Sequence, residues 1–197
     1  MNKQLRLFID RMMTPIGELI LLSDEFGSLR AVDWTDYEQR MRRLLARHYR
    51  ATHVTMEPRR DPFGLTSMLE SYFGGDLKCL QSIPVSTGGT VFQQSVWQSL
   101  RSIPAGETTS YGNLAKRLGR PAAVRAVGLA NGANPVGIVV PCHRVIGADG
   151  SLTGYGGGLQ RKQWLLDHER KHSNAPDRGS KQKSLSDSTP ANLTSLG

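Results

Sequence analysis

Cysteine is almost missing from this 197-residue chain: Cys79 and Cys142 are the two, and they form no C-x-x-C pair. That excludes a disulfide framework and a cysteine-rich zinc site, and it fits a reducing compartment. Long apolar runs are missing as well. No stretch is long enough to span a bilayer, and Met1-Asn2-Lys3-Gln4-Leu5-Arg6 lacks the apolar core of a signal peptide. A soluble, cytoplasmic protein is expected. Aromatic residues supply only 7% of the chain, yet 38% of it is hydrophobic. That suffices for one large core or two small ones and excludes wholesale disorder.

Acidic residues are scarce in one segment in particular. Residues 1–86 carry 12 Lys/Arg against 11 Asp/Glu. Residues 87–170 carry 9 against 4, and residues 171–197 carry 4 against 2. Most of the net charge of +8 therefore lies in the middle segment, which also holds Cys142. A basic surface there suits nucleic acid or serves solubility alone, and charge does not separate the two.

Leu5–Asp10, Gly17–Ser23 and Leu29–Trp34 read as strands, with turns at Thr14–Gly17 and Asp24–Ser28. Tyr37–Tyr49 has helical spacing, and its Arg40, Arg42, Arg43, Arg47 and Arg50 are assigned to a solvated face. A second helix over Gly64–Phe73 ends at Gly74-Gly75. Cys79 is taken as structural. Residues 1–86 thus form a small α/β domain of three antiparallel strands with helices, whose task is support. After a connector at 86–90, Val91–Ser102 reads as a helix stopped by Ile103-Pro104-Ala105-Gly106. Thr109–Gly119 follows, with Ser110 as N-cap, then Arg120-Pro121, then a helix over Ala122–Asn131. That is the outline of a helix-turn-helix. Its second helix is made of small residues, Ala123, Ala126 and Gly128 among them, with one long side chain, Arg125. Such a helix can approach a bulky partner closely, or pack tightly inside the protein with Arg125 in a surface ion pair; both readings stand.

The stretch that carries chemistry is Pro141-Cys142-His143-Arg144-Val145-Ile146-Gly147. It follows Ile138-Val139-Val140, β-branched throughout and read as a short buried strand that Pro141 ends. A soft nucleophile, a proton carrier and a fixed positive charge lie within three residues. Attack by sulfur needs the thiolate. Neighbouring side chains on a strand point to opposite faces, so Cys142 and His143 need a water or a turn between them. A third group should hold the imidazole, and Asp167 and Glu169 are the nearest downstream carboxylates. A buried structural cysteine beside an unrelated histidine is the plain alternative. Leu152–Gly158 is a glycine-rich loop carrying Tyr155, suited to a flat ligand, and residues 160–170 resume a helix. Residues 173–197 read as a disordered tail.

The whole string Ile138–Gly147, with these flanks, resembles the active-site signature of the O6-alkylguanine-DNA alkyltransferases, also called methylated-DNA–protein-cysteine methyltransferases. The resemblance covers residues 86–170 specifically and 1–85 more loosely. It implies an α+β protein: a ribonuclease H-like N-terminal domain over 1–86, then a mainly helical domain over 87–172 with a winged helix-turn-helix-like element. It also implies irreversible, single-turnover transfer of an alkyl group from O6 of guanine, and from O4-methylthymine, to Cys142. His143 would deprotonate Cys142 through a water, Glu169 would orient His143, and Asn134 would brace the turn. The damaged nucleotide would flip out of double-stranded DNA. Arg125 would take its place, and Tyr111 would rotate it and protonate the leaving guanine. Ala123, Ala126 and Gly128 would lie against the minor groove. The carbonyls of Cys142 and Val145 would face the guanine amine, and the loop Tyr155-Gly156-Gly157 would close over the base.

A monomer with no metal and no cofactor is expected, with clustering along DNA left open. Gly156 departs from relatives whose Ser contacts O6, so any contact here comes from backbone. Two other classes remain to be separated from repair: a non-reactive DNA-binding module, against which Cys142 speaks, and a thiol hydrolase, against which the basic helix-turn-helix speaks.

Overall fold

The computed structural model describes residues 3–50 and 52–173. Its first half is organised by the run Leu19-Ile20-Leu21-Leu22. A strand with one wet face alternates apolar and polar side chains, so four apolar residues in a row require cover on both faces. Strand β2 (Gly17–Asp24) has that cover. Leu19 and Leu21 belong to one core cluster, Ile20 and Leu22 to another. Helix α1 (Glu38–His48) closes the second cluster through Met41 and Leu45. Helix α2 (Leu65–Phe73) and the C-terminal half of the chain close the first.

Strands β1 (Lys3–Thr14), β2 and β3 (Leu29–Trp34) pair antiparallel in sequence order, as their short connecting turns predict. The β1–β2 turn places Gly17 at a φ of 120°, and the Thr14 hydroxyl donates to Gly17 O at 2.6 Å. A fourth strand, β4 (Thr52–Pro58), lies parallel to β1, giving the order β3-β2-β1-β4. The sequence hardly announces it: it is a half-exposed edge in which only Val54 and Met56 lean on the α1 core. Arg42, Arg43 and Arg47 are exposed on α1 and Arg50 just beyond it, but Arg40 is not on a solvated face. Its side chain is 20% exposed and reaches into the C-terminal half. Cys79 opens the short α3 (Cys79–Ser82); its Sγ donates to carbonyls of Met68 and Asp76, and burial pushes the thiol up to about 11.

The free edge of β3 joins the two halves. Leu29 N donates to Pro84 O at 2.9 Å and Ser86 N to Leu29 O at 3.0 Å. Further along, Val32 N donates to Pro135 O and Gly137 N to Val32 O, both at 2.9 Å. An edge that would otherwise be open is closed by the connector and by the turn preceding Cys142. The sheet therefore fixes the backbone leading into the thiol.

In the C-terminal half, α4 (Val91–Arg101) begins with a reciprocal capping box. Gln93 N donates to Thr90 Oγ1 at 3.2 Å, and Thr90 N donates to Gln93 Oε1 at 2.9 Å. The two-residue strand β5 (Thr109–Ser110) leads into α5 (Tyr111–Arg117), which Ser110 caps by accepting Asn113 N at 3.1 Å. After Gly119, at a φ of 67°, and a 3-10 turn at Pro121–Ala123 comes α6 (Val124–Gly132). Strand β6 (Val145–Ile146) pairs parallel with β5, and α7 (Leu159–Ser173) packs back on the core. Beyond Ser173, the tail expected at 173–197 lies outside the described residues. None of the described helices is long and apolar enough to cross a membrane.

Ile138-Val139-Val140 is buried, but it is not a strand. Ile138 has a φ of 67°, Val139 N donates to Gly137 O at 2.7 Å, and Val140 N donates to Val136 O at 3.0 Å. These are successive tight turns. A positive φ on a β-branched residue costs on the order of 1–3 kcal/mol. Complete burial of three apolar side chains offsets that strain, and local β-preference loses to packing. Replacing Thr90 by Ala removes one side of the capping box and should lower stability by about 1 kcal/mol, read as a lower urea midpoint at unchanged slope.

Candidate active site

Cys142 begins a single 3-10 turn, Cys142–Arg144. Asn134 fixes the loop beneath it: Nδ2 donates to Val140 O at 2.8 Å and Val136 O at 3.4 Å, while Oδ1 accepts Val136 N at 3.0 Å. In a 3-10 turn successive side chains diverge by a third of a rotation, so Cys142, His143 and Arg144 enter the protein in different directions. The thiol is 6% exposed and His143 is fully buried.

The two carboxylates left open by sequence are now distinguished. Asp167 pairs with Arg170 at the surface, whereas Glu169 is fully buried on α7. Glu169 Oε1 accepts from His143 Nε2 at 2.8 Å, Tyr72 Oη at 2.9 Å and Arg144 Nη2 at 2.8 Å. Its Oε2 accepts from Arg144 Nε at 2.8 Å and Gly106 N at 3.2 Å. Burial alone would raise this carboxyl above its ordinary value. The His143 and Arg144 partners more than offset that and hold it well below the usual carboxylate range. An ionised Glu169 needs a donor at His143 Nε2, which leaves Nδ1 as the imidazole's free acceptor. Nδ1 has no hydrogen-bond partner among the described residues.

Burial also pushes His143 below its ordinary value, against the pull of Glu169, so the imidazole is neutral near pH 7. The Cys142 thiol is pushed up by burial, while an Asn134 hydrogen bond and the charges of Arg40 and Lys162 pull it partly back. The resting group is therefore a neutral thiol. Lys162 on α7 is fully buried, with its ammonium donating to Val145 O and Thr153 O, both at 2.6 Å. Burial lowers it to about 8. The Val145 carbonyl is thereby committed in part to Lys162, and the Cys142 carbonyl accepts Asn131 Nδ2 at 3.4 Å.

A narrow cavity beside the thiol has a volume of about 10 Å³. Its walls include Cys142, Asn134 and the loop Tyr155-Gly156-Gly157, but also Trp34, Asp33 and Arg40 from the first half of the chain. Arg40 Nη1 binds Asp33 at 2.6 Å, and Nη2 donates to Gly132 O at 2.8 Å and Asn134 O at 3.1 Å. The N-terminal half thus contributes walls to the site as well as support. The loop glycines answer to those walls: a Cβ on Gly156 would lie 2.6 Å from the Arg40 guanidinium carbon, and one on Gly157 2.3 Å from Trp34 Nε1.

Of the other sequence-predicted residues, Tyr111 accepts from Thr153 Oγ1 at 3.3 Å. Gly128 lies beneath its ring, where a Cβ would sit 3.8 Å away. Arg125 and Ala126 are exposed and Ala123 is half-exposed, in a surface that also shows Leu129, 70% exposed. Arg125, Ala126, Gly128 and Leu129 lie on α6, and Ala123 lies in the 3-10 turn before it.

Residues 8–87 match the family profile "6-O-methylguanine DNA methyltransferase, ribonuclease-like domain", and residues 91–171 match its DNA binding domain. The chain belongs to the 6-O-methylguanine DNA methyltransferase family. A methylated-DNA–protein-cysteine methyltransferase of Shigella flexneri is 52% identical over 84% of this chain and 96% of its own length. The protein of that name from Salmonella typhimurium is 53% identical over the same shares. The crystal structure of a Mycobacterium tuberculosis OGT in complex with DNA aligns at a TM-score of 0.67 and 41% identity, covering 86% of this chain and 94% of that one. Membership in this methyltransferase family makes the chain a DNA-repair protein of the alkyl-transfer class, with a two-domain α+β fold.

Within this family member, sequence reasoning missed Tyr72, Lys162, Trp34 and the inward turn of Arg40. Lys162 had a signal: it is seven residues before Glu169 and shares a helical face with Leu165, Leu166 and Glu169. Tyr72 had none, because only tertiary packing brings α2 to α7. Replacing Glu169 by Gln leaves the Arg144 guanidinium buried without a carboxylate. It should cost about 3–5 kcal/mol of stability at neutral pH. The carboxylate's folded value is depressed, so its contribution is present above its unfolded value of about 4.5 and is lost as pH falls below it. Urea denaturation at pH 7 and pH 4 should show the parent–variant gap shrinking at the lower pH.

Proposed function

We propose that the protein repairs O6-alkylguanine in duplex DNA by carrying the alkyl group to Cys142 Sγ, once per molecule. The observation that carries this reading is the Cys142–His143–Glu169 arrangement at a buried cavity. Sγ attacks the alkyl carbon in line; the S–C bond forms as the C–O6 bond breaks, and the electron pair stays with guanine. The thiol proton passes through a water to His143 Nδ1, where Glu169 stabilises the imidazolium. Tyr111 gives its proton to guanine N3 and is reprotonated from solvent, while the His143 imidazolium releases the thiol proton to solvent. The step balances without a metal or cofactor.

A thiol this buried is out of reach of a stacked base, so the nucleotide has to leave the helix. Exposed Arg125, without an ion-pair partner among the described residues, is free to fill the gap. Ala123, Ala126 and Gly128 let α6 enter the minor groove closely. The carbonyls of Cys142 and Val145 meet the guanine amine, while Tyr155, Gly156 and Gly157 close over the base. Asn134 keeps the turn in place. O4-methylthymine offers the same alkyl–oxygen bond and is taken as a second substrate. Single turnover follows from sulfur chemistry: a thioether is stable, and Cys79, bonded to carbonyls and with a raised thiol, cannot resolve it. In this reading 1–86 form the supporting domain and 87–172 the transferring, DNA-binding domain of a cytoplasmic monomer.

Incubation with a duplex containing O6-methylguanine, followed by intact mass measurement, should show one added methyl group, mapped to Cys142. The Cys142→Ala protein should gain none. No adduct on the parent, or several turnovers per protein, overturns the proposal.

A further inference from the structure

The cavity beside Cys142 is built across the domain boundary, and that bears on which alkyl groups fit. An alkyl group on Sγ has to occupy the space next to the sulfur, and a volume of about 10 Å³ is at the lower limit for one water-sized group. A larger group must displace a wall. Gly137, Gly156 and Gly157 have no side chain to move, and Asn134 is locked by its three hydrogen bonds. The remaining apolar walls include Leu19, Val32 and Trp34 on one sheet face, with Leu19 and Trp34 paired across β2 and β3. Trp34 is the bulkiest of them.

Trp34 is also held in place by the C-terminal domain. It is 2% exposed, and the Arg161 guanidinium of α7 lies 4.5 Å over its ring. Arg161 simultaneously binds Asp36 at 2.9 Å and donates to Gly157 O at 3.2 Å. The indole is thus pinned between Arg161 and the backbone of Gly157, whose glycine identity is enforced by Trp34 Nε1 and not by a left-handed φ. We propose that Trp34 is the specificity-determining wall of the alkyl cavity, so that the N-terminal sheet sets the size of group transferred to Cys142.

This inference rests on the alkyl-transfer proposal, and one experiment separates the two. Single-turnover rates are measured on duplexes carrying O6-methylguanine or O6-benzylguanine, with parent, Trp34→Leu, Trp34→Phe and Leu19→Ala proteins. In Trp34→Leu the benzyl-to-methyl rate ratio should rise roughly tenfold or more, the scale of discrimination a hydrophobic pocket exerts on small changes in bulk. Trp34→Phe, which keeps a ring, should move it less. Leu19→Ala enlarges the same wall with the indole intact, and it decides the matter by the same rise should Trp34→Leu fail to fold. A parent that reacts with neither duplex overturns the function and this inference together. A reactive parent whose ratio is unchanged by the folded wall variants overturns this inference alone.

Discussion

Five donors converge on the two oxygens of Glu169, and most of what is particular to this molecule depends on that convergence. They come from α2, from the loop after α4 and from the thiol turn itself. A buried carboxylate is tolerable only when fully satisfied, so each of these segments has one permitted position. The ionised carboxylate fixes the imidazole tautomer and neutralises Arg144. Arg144 in turn ties the turn to the Ile103 carbonyl at 2.6 Å. The orientation of Cys142 is a consequence of the same network, because its two neighbours in the turn are both committed to Glu169.

The second constraint comes from the edge of β3. A sheet edge needs partners, and here the connector and the Asn134–Gly137 segment supply them. The domain that does not contain Cys142 therefore sets the position of the backbone beneath the thiol, and Trp34 and Arg40 extend that influence to the cavity walls. Electrostatics follow the same geography: Arg40 and Lys162, from different domains, both favour the charged form of Cys142 against the cost of burial.

Much of this was legible in the sequence, for identifiable reasons. Leu29–Trp34 carries two-fold patterning, β1–β3 are separated by strong turn residues, and α5 carries its cap in Ser110. The thiol, its imidazole and Glu169 come from a contiguous motif and one helix. What was not legible depended on tertiary context. Strand β4 is an exposed edge whose pairing is supplied by β1. The β-branched run Ile138–Val140 reads as extended until Asn134 and complete burial impose turns on it. Arg40 sits among surface arginines in sequence, and only the proximity of Asp33 and two carbonyls turns it inward. The glycines at 156 and 157 suggested a backbone surface for a flat ligand; their immediate reason is side chains arriving from the other domain.

The central claim is that Cys142 rests as a neutral buried thiol and gives up its proton to neutral His143 as it attacks. The pH dependence of the single-turnover alkyl-transfer rate, followed from about pH 5 to about pH 8.5, tests it most directly. The rate should be level through neutrality and fall only as His143 protonates, which burial places below 6.5. A rate climbing about tenfold per pH unit through neutrality, as solvent titration of a thiol above 9.0 would impose, would contradict it.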